Sequence, residues 1–395
     1  MKKITVGIVP APELPTTIAY KLSGNLEDAL NEQIPGEIKW VVEVETNRLP
    51  GAAEKIKDIM DEALHLKQEN NWNYVISLTD IPAFYRKSVV IADADIEGNI
   101  AQVSLPAFGL IPTPNKVKKT LLQMVKELYY RHGHSGKKVA FVKKSIGIKE
   151  KTNDKRFYGK LMEAFRFSTI NRLEFSEKYD GVSIRFVLVP KWNGMVKVLA
   201  GMTISNRPWA IMPSFKKVVG LAFATGSFML VFTTLWRMSA LYGLFRLIGL
   251  MILATTGMVI WIVFAQNLWE KKSNSFSSAK LRWMYNASTV STLSFAVMLF
   301  YMGMFFLFLV AVFVFVPPDI FQDTIKEDVG PVDYLKLAWL AASAATVAGA
   351  IGAGLEKAEV VRTSTYGYRQ RQYVRSKAFQ EKEEAEEEEK EGGEQ

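Results

Sequence analysis

Residues 289–316 read TVSTLSFAVMLFYMGMFFLFLVAVFVFV, 28 positions without a charge. A helix crosses a bilayer core with about 20 mostly apolar residues. This run therefore predicts a membrane span that tilts or runs past the hydrocarbon. Residues 218–236, 247–265 and 337–355 are of the same kind. Between Val218 and Ala265 the only charges are Arg237 and Arg246. Arg246 is placed to snorkel to the interface rather than to sit among lipid tails. The span interiors hold no ionisable group, which argues for anchoring helices rather than an ion path. Trp209, Trp236, Trp269, Trp283 and Trp339 sit near the span ends, where interfacial anchors are expected.

The spans decide how the averages are read. The chain has 395 residues, 49% apolar, with mean hydropathy +0.06, net charge +9 and no cysteine. These figures suit a basic globule, yet they sum unlike parts. Residues 381–395 carry nine Glu and two Lys, leaving +16 on residues 1–380. A single soluble globule, a disulfide framework and any cysteine-based metal or redox site are excluded. The expected organisation is an α/β cytoplasmic domain over 1–134 and a basic juxtamembrane α+β segment over 135–215. An all-α four-helix transmembrane domain over 216–357 and a charged, mostly disordered tail over 358–395 follow.

Lys and Arg near the spans give the orientation. Lys216 and Lys217, then Lys271, Lys272, Lys280 and Arg282, then Lys357 through Lys377 mark cytoplasmic segments. The opposite side holds Arg237 and Arg246 and the acidic loop with Asp319, Asp323, Glu327, Asp328 and Asp333, whose basic residues are Lys326 and Lys336. Twelve basic residues face four, so both termini are expected inside a cell membrane. Residues 4–9 are too short for a signal-peptide core and Pro10 follows, so the N-terminal half is expected to stay in the cytoplasm. The last span carries Ala341, Ala345, Gly349 and Ala353 at i+4 spacing, which lets helices approach closely. The row serves either packing within the bundle or a homo-oligomer seam.

The first half alternates strand and helix. Residues 4–9, 39–45 and 74–78 read as strands. Residues 16–34 and 51–68 read as helices, the first with Leu22, Leu26, Leu30 and Ile34 in one row. Residues 88–92 and 99–105 add strands and 115–130 a third helix. This order predicts a largely parallel sheet with covering helices. Ligands of such sheets sit beyond the carboxyl ends of the strands. The candidate ligand-binding residues there are Glu13, Glu45, Thr79, Asp80, Asp93 and Asp95, with Glu43 and Arg48 nearby. Several carboxylates together can hold a divalent cation; singly, Asp also favours turns for local reasons. Asp80 is the leading candidate, because it follows an apolar strand.

Catalytic motifs are missing. Pro10-Ala11-Pro12-Glu13 replaces a glycine-rich nucleotide fingerprint. Gly133-His134-Ser135-Gly136-Lys137-Lys138 has P-loop composition with the wrong spacing. His132 and His134 suit a helix C-terminus. Residues 116–160 carry fourteen Lys or Arg against three acids. Next to an anionic leaflet each basic residue contributes about 1 kcal/mol of attraction. Lys137, Lys138, Lys143, Lys144, Arg207 and Trp209 are therefore expected at the lipid surface, with nucleic acid not the expected partner. Residues 195–202 suit either an interfacial amphipathic helix or a core helix of a small subdomain.

Two resemblances bear on these readings. Residues 76–82 (ISLTDIP), 89–93 (VVIAD), 101–109 (AQVSLPAFG) and 201–209 (GMTISNRPW) together resemble an uncharacterised family of multi-pass membrane proteins of Gram-positive bacteria. Members sometimes carry a 5,10-methylenetetrahydrofolate dehydrogenase label, which this sequence does not support, lacking a nucleotide fingerprint. At fold level, residues 102–105 followed by the helix 115–130 resemble the archaemetzincin layout. Lys126 and Tyr130 stand where the two zinc-ligand histidines would be, which implies that no protease activity remains. The expected function is a membrane-anchored ligand-binding or regulatory module. An enzyme using the acidic edge and a subunit of a transport complex are the alternatives.

Overall fold

A computed structural model describes residues 2–132 except 35, 52–55, 87 and 110–111, residues 169–270 except 180 and 190, and residues 279–353. The chain divides into two compact units, the first built from residues 1–205 and the second beginning at Asn206.

The first unit is a mixed sheet with helices. Its elements are β1 (Lys2–Pro10), α1 (Leu14–Gln33), β2 (Ile38–Val44), α2 (Ile56–Glu69), β3 (Tyr74–Thr79), β4 (Ala83–Tyr85), β5 (Ser88–Asp95) and β6 (Ile100–Ser104). Then come α3 (Pro114–His132), β7 (Thr169–Tyr179), β8 (Val182–Val189) and α4 (Lys191–Ser205). The strand order is β2-β1-β3-β6-β5-β8-β7, with β4 on β5. The four strands β2, β1, β3 and β6 run parallel, while β4, β5, β7 and β8 join by antiparallel pairing. A largely parallel sheet was expected; the parallel part ends at β6. The boundary expected after residue 134 does not divide the sheet, because β8 pairs with β5.

The apolar runs explain the burial. All six residues of β3 are buried, as expected of a strand covered on both faces. Met60, Ala63 and Leu66 of α2 cover Val9, Val75 and Ile100. Helices α1 and α3 pack together and against the sheet. In α1 the i+4 row Leu22, Leu26 and Leu30 is buried, as its spacing requires.

Helix α4 is a core helix rather than an interfacial one, with Val198 and Met202 fully buried. It lies on the 3₁₀ turn Leu105–Phe108, so close that a Cβ on Gly201 would sit 2.5 Å from the Pro106 carbonyl oxygen. The sequence blocks 101–109 and 201–209 thus meet at one contact.

The second unit is helical: a 3₁₀ stretch Pro208–Phe215, then α5 (Lys216–Met229), α6 (Thr233–Leu241), α7 (Leu244–Ala265), α8 (Ala279–Phe315), α9 (Pro318–Ile325) and α10 (Pro331–Ala353). Three helices, α7, α8 and α10, are long and apolar enough to cross a membrane. The first expected span differs. It is broken at Leu230–Phe232 and bent by 90°. At about 1.5 Å per residue, α5 alone is about 21 Å long, short of the roughly 30 Å core. The Trp236 indole donates to the Leu230 carbonyl at the break, satisfying a group the helix no longer uses.

The α5–α6 break and α9 meet at one end of the bundle: Trp236 packs on Phe321, and Arg237 donates to the Thr324 carbonyl. Trp236 is therefore a core residue, not the lipid anchor expected from its position. Arg246 lies in the first turn of α7, 4.7 Å over the Tyr242 ring. At the other end Asn206 donates to Ser288 and Thr292, and Gln266 donates to the Ala353 carbonyl. Trp209, Trp269 and Trp283 are all exposed at that end. The small residues of α10 are used inside the chain. Gly349 faces Ala222 and Phe300, and Ala345 faces Gly226. Ala341 and Ala353 are buried as well, so the row packs inside the bundle, one of the two uses its spacing allows.

Candidate functional site

The six expected site residues do not converge. Glu13, Glu45, Thr79 and Asp80 follow the carboxyl ends of β1, β2 and β3, where parallel strands were expected to present them. Asp93 and Asp95 point elsewhere for a topological reason. Because β5 runs antiparallel to β6, its end lies at the start of β6, and Asp95 pairs with Ile100. No group of three His, Cys, Asp or Glu able to hold a metal occurs among the described residues. The carboxylates expected to share a divalent cation are thus split between two edges of the sheet.

Each has a local role. Glu13 is exposed at φ 68°, and its carbonyl receives the Thr17 backbone and hydroxyl. A Glu45 carboxylate oxygen accepts from Asn70 at 2.8 Å. The Thr79 hydroxyl donates to the Pro50 carbonyl and accepts from the Ile81 amide. Asp80 is buried at 1% exposure in the crossing that carries the chain over β6, where the Ser104 hydroxyl holds the Ile81 carbonyl at 2.7 Å. Asp95 accepts from the Glu97 and Gly98 amides and from Ser183, closing the β5–β6 turn. Lys67 beside it donates to the Gly98 carbonyl at 2.6 Å. Burial lowers the pKa of that ammonium, against the opposing pull of Asp95.

The sheet assembles something that the edge reading missed. Ser77, Gln102, Asp93 and Arg185 are cross-strand neighbours on β3, β6, β5 and β8. All four are buried. Arg185 donates to both Asp93 oxygens, from Nε at 2.6 Å and Nη2 at 3.2 Å, and Gln102 Nε2 donates at 3.0 Å. The Arg185 guanidinium also lies 5.0 Å over the Tyr85 ring and 5.9 Å over Phe175. Ser77 Oγ and Gln102 Oε1, next in the row, make no hydrogen bond among the described residues. The signal for this row was available: Arg185 interrupts the apolar strand VSIRFVLV, and a buried guanidinium requires a carboxylate. Only the partner's identity was hidden.

A second pair lies on the other face. Arg172 sits opposite Phe186, one position from the Leu173–Arg185 pair, so its side chain takes the alternate face. It reaches Glu127 of α3 at 3.4 Å and Glu174 at 2.8 Å. Along α3, Lys126 donates to Gln33 of α1, and Tyr130 stacks edge-on to Tyr129. The two positions compared with zinc ligands thus serve packing. Burial raises the Tyr130 pKa.

Of the residues expected at a lipid surface, Arg207 and Trp209 are exposed just before α5, with Arg207 left-handed at φ 50°. Lys137, Lys138, Lys143 and Lys144 lie outside the described residues, as does the tail. Comparison with protein families, curated proteins and solved structures finds no match.

Proposed function

We propose that the chain is a membrane-anchored module whose sheet domain binds a ligand or a regulatory partner on the cytoplasmic side and performs no chemistry on it. The observation that carries this reading is the engagement of Asp93 and Glu127. Both are buried and both are held by arginines, so neither is poised as a base or a metal ligand. The bent pair α5–α6 counts as a fourth crossing in this reading, which puts both termini inside. The lysine and arginine bias of the connections supports that orientation. The basic surface then faces anionic headgroups, not nucleic acid.

Thermal-shift screening of the full chain in detergent against metabolites and metal ions tests the binding reading. A ligand that raises the unfolding temperature and is recovered unchanged supports it; turnover of that ligand overturns it. A reporter fused after Ile325 is expected to report the outside, and a cytoplasmic signal there would reverse the topology.

One observation favours an enzyme instead. Asp80 is a buried acid just past a parallel strand, where α/β enzymes place catalytic groups. In that case Asp80→Asn abolishes the ligand response without lowering thermal stability. An unchanged response removes this alternative.

A further inference from the structure

Helices α7 and α8 part along one side and leave a groove of about 630 Å³. Its α7 wall includes Ile252, Thr256, Val259 and Val263, one face of a helix; its α8 wall includes Ser294 and Met298. We infer that this groove is a binding site for one acyl chain of an anionic membrane phospholipid. The inference is separate from the ligand reading of the sheet domain and rests only on α7 and α8 crossing a bilayer.

Three observations select this occupant. The first is length. From Ile252 to Phe264 the wall runs about 18 Å at 1.5 Å per residue, close to half of a roughly 30 Å hydrocarbon core. The slot thus spans one leaflet, where a single acyl chain fits and a whole transmembrane helix overruns. The second is the mouth. The groove closes at Trp269, exposed just past the end of α7, where an indole marks the headgroup level. The third is charge. Lys280 and Arg282 lie in the first turn of α8 near the same end. That basic first turn suits a negative headgroup above the slot. The Thr255 hydroxyl in the wall does not argue against a hydrocarbon occupant, since it already donates to the Met251 carbonyl of its own helix.

The test uses the full chain in phosphatidylglycerol nanodiscs containing phosphatidylglycerol with a diazirine on one acyl chain. After illumination, label on Ile252, Val259, Val263 and Met298 is expected to exceed that on Phe306 and Val310 several-fold. Those two are exposed on α8 away from the groove. Thr256→Trp combined with Ser294→Trp is expected to lower groove labelling several-fold, since both positions are exposed and face the slot. Leu253→Trp, exposed outside the groove, is expected to leave it unchanged. The wild-type pattern stands as a test even if the double variant misfolds. Equal labelling of groove and outer faces overturns the site, as ordinary bulk lipid. Cross-links from the groove to a second copy or another protein, in place of lipid, overturn it as a protein interface. Equal labelling by a phosphatidylcholine probe overturns the anionic preference.

Discussion

The two units solve opposite problems of burial. The sheet unit places whole charges in its interior and pairs them: Asp93 with Arg185, Glu127 with Arg172. The bundle interior of α7, α8 and α10 holds no charge and uses small residues and rings instead. Several of its polar groups are hydroxyls tied to their own helix, such as Thr346 to the Ala342 carbonyl. The difference follows from the outside medium. Apolar surface gains little by leaving lipid, so the bundle depends on close packing and the sheet on burial. A charge in the sheet unit is tolerable because an adjacent strand or helix supplies its partner.

The sharpest way to break this contrast is to remove half of a sheet pair. Arg185→Met removes the guanidinium that donates to both oxygens of the buried Asp93 carboxylate. Losing one member of a buried pair costs about 3–5 kcal/mol. The double variant Asp93→Leu with Arg185→Met is expected to recover most of that loss, because an apolar pair of similar volume is often neutral. Thermal unfolding of the four proteins in detergent completes the cycle. If the double variant is as unstable as the sum of the singles, the two residues act independently and the contrast fails.

Close packing can be probed in both units at glycine. In the bundle, a Cβ on Gly226 would meet the Phe308 ring and the Ala345 methyl. In the sheet unit, a Cβ on Gly201 would meet the Pro106 backbone. Overpacking of this kind costs about 1–3 kcal/mol. Gly201→Ala is expected to cost more than Gly226→Ala, since a ring can turn and a backbone carbonyl must be pushed. Unfolding temperatures in the reverse order would show that the bundle is the more rigid unit.

A smaller effect is confined to high pH. Burial, with Tyr129 adding to it, pushes the Tyr74 phenol up to about 12. The unfolded chain releases that proton near pH 10. The contribution to stability is therefore complete below pH 10 and is lost as pH rises through 12. The unfolding temperature of the wild type is expected to fall across that window. Tyr74→Phe is expected to fall less and to lose one late-titrating phenol in an absorbance titration of the tyrosines. Identical curves would remove Tyr74 as the cause.

Much of this architecture was legible in the sequence, for physical reasons. The uncharged run at 289–316 admits few readings, and all of it but Val316 lies within α8. The strands β1 and β3 were legible because strands buried on both faces need near-continuous apolar runs. Strand β7 was not legible, because Arg172, Glu174 and Lys178 look like solvent-facing residues until Glu127 supplies a partner from α3. The break at Leu230–Phe232 was hidden as well. It contains neither Gly nor Pro, and its stabilising bond comes from Trp236, which reads as an ordinary apolar residue. Asp93 was placed at the wrong edge because strand direction is a property of the chain path, not of the residue.

The smallest predicted effect is the most discriminating for the bundle. The Tyr301 hydroxyl lies 2.9 Å from Ser343, the only hydrogen bond between side chains of α8 and α10 among the described residues. A polar contact within lipid would be expected to matter more than one in water. Yet measured contributions in membrane helices average about 0.6 kcal/mol, because the separated helices also find partners. Ser343 illustrates the reason: it already reaches the Trp339 carbonyl of its own helix at 3.0 Å. Tyr301→Phe is therefore expected to lower the unfolding temperature only slightly, far less than Arg185→Met. A loss as large as that of the sheet pair would mean that this one hydroxyl contact, rather than the fit of α10 against its neighbours, holds the bundle together.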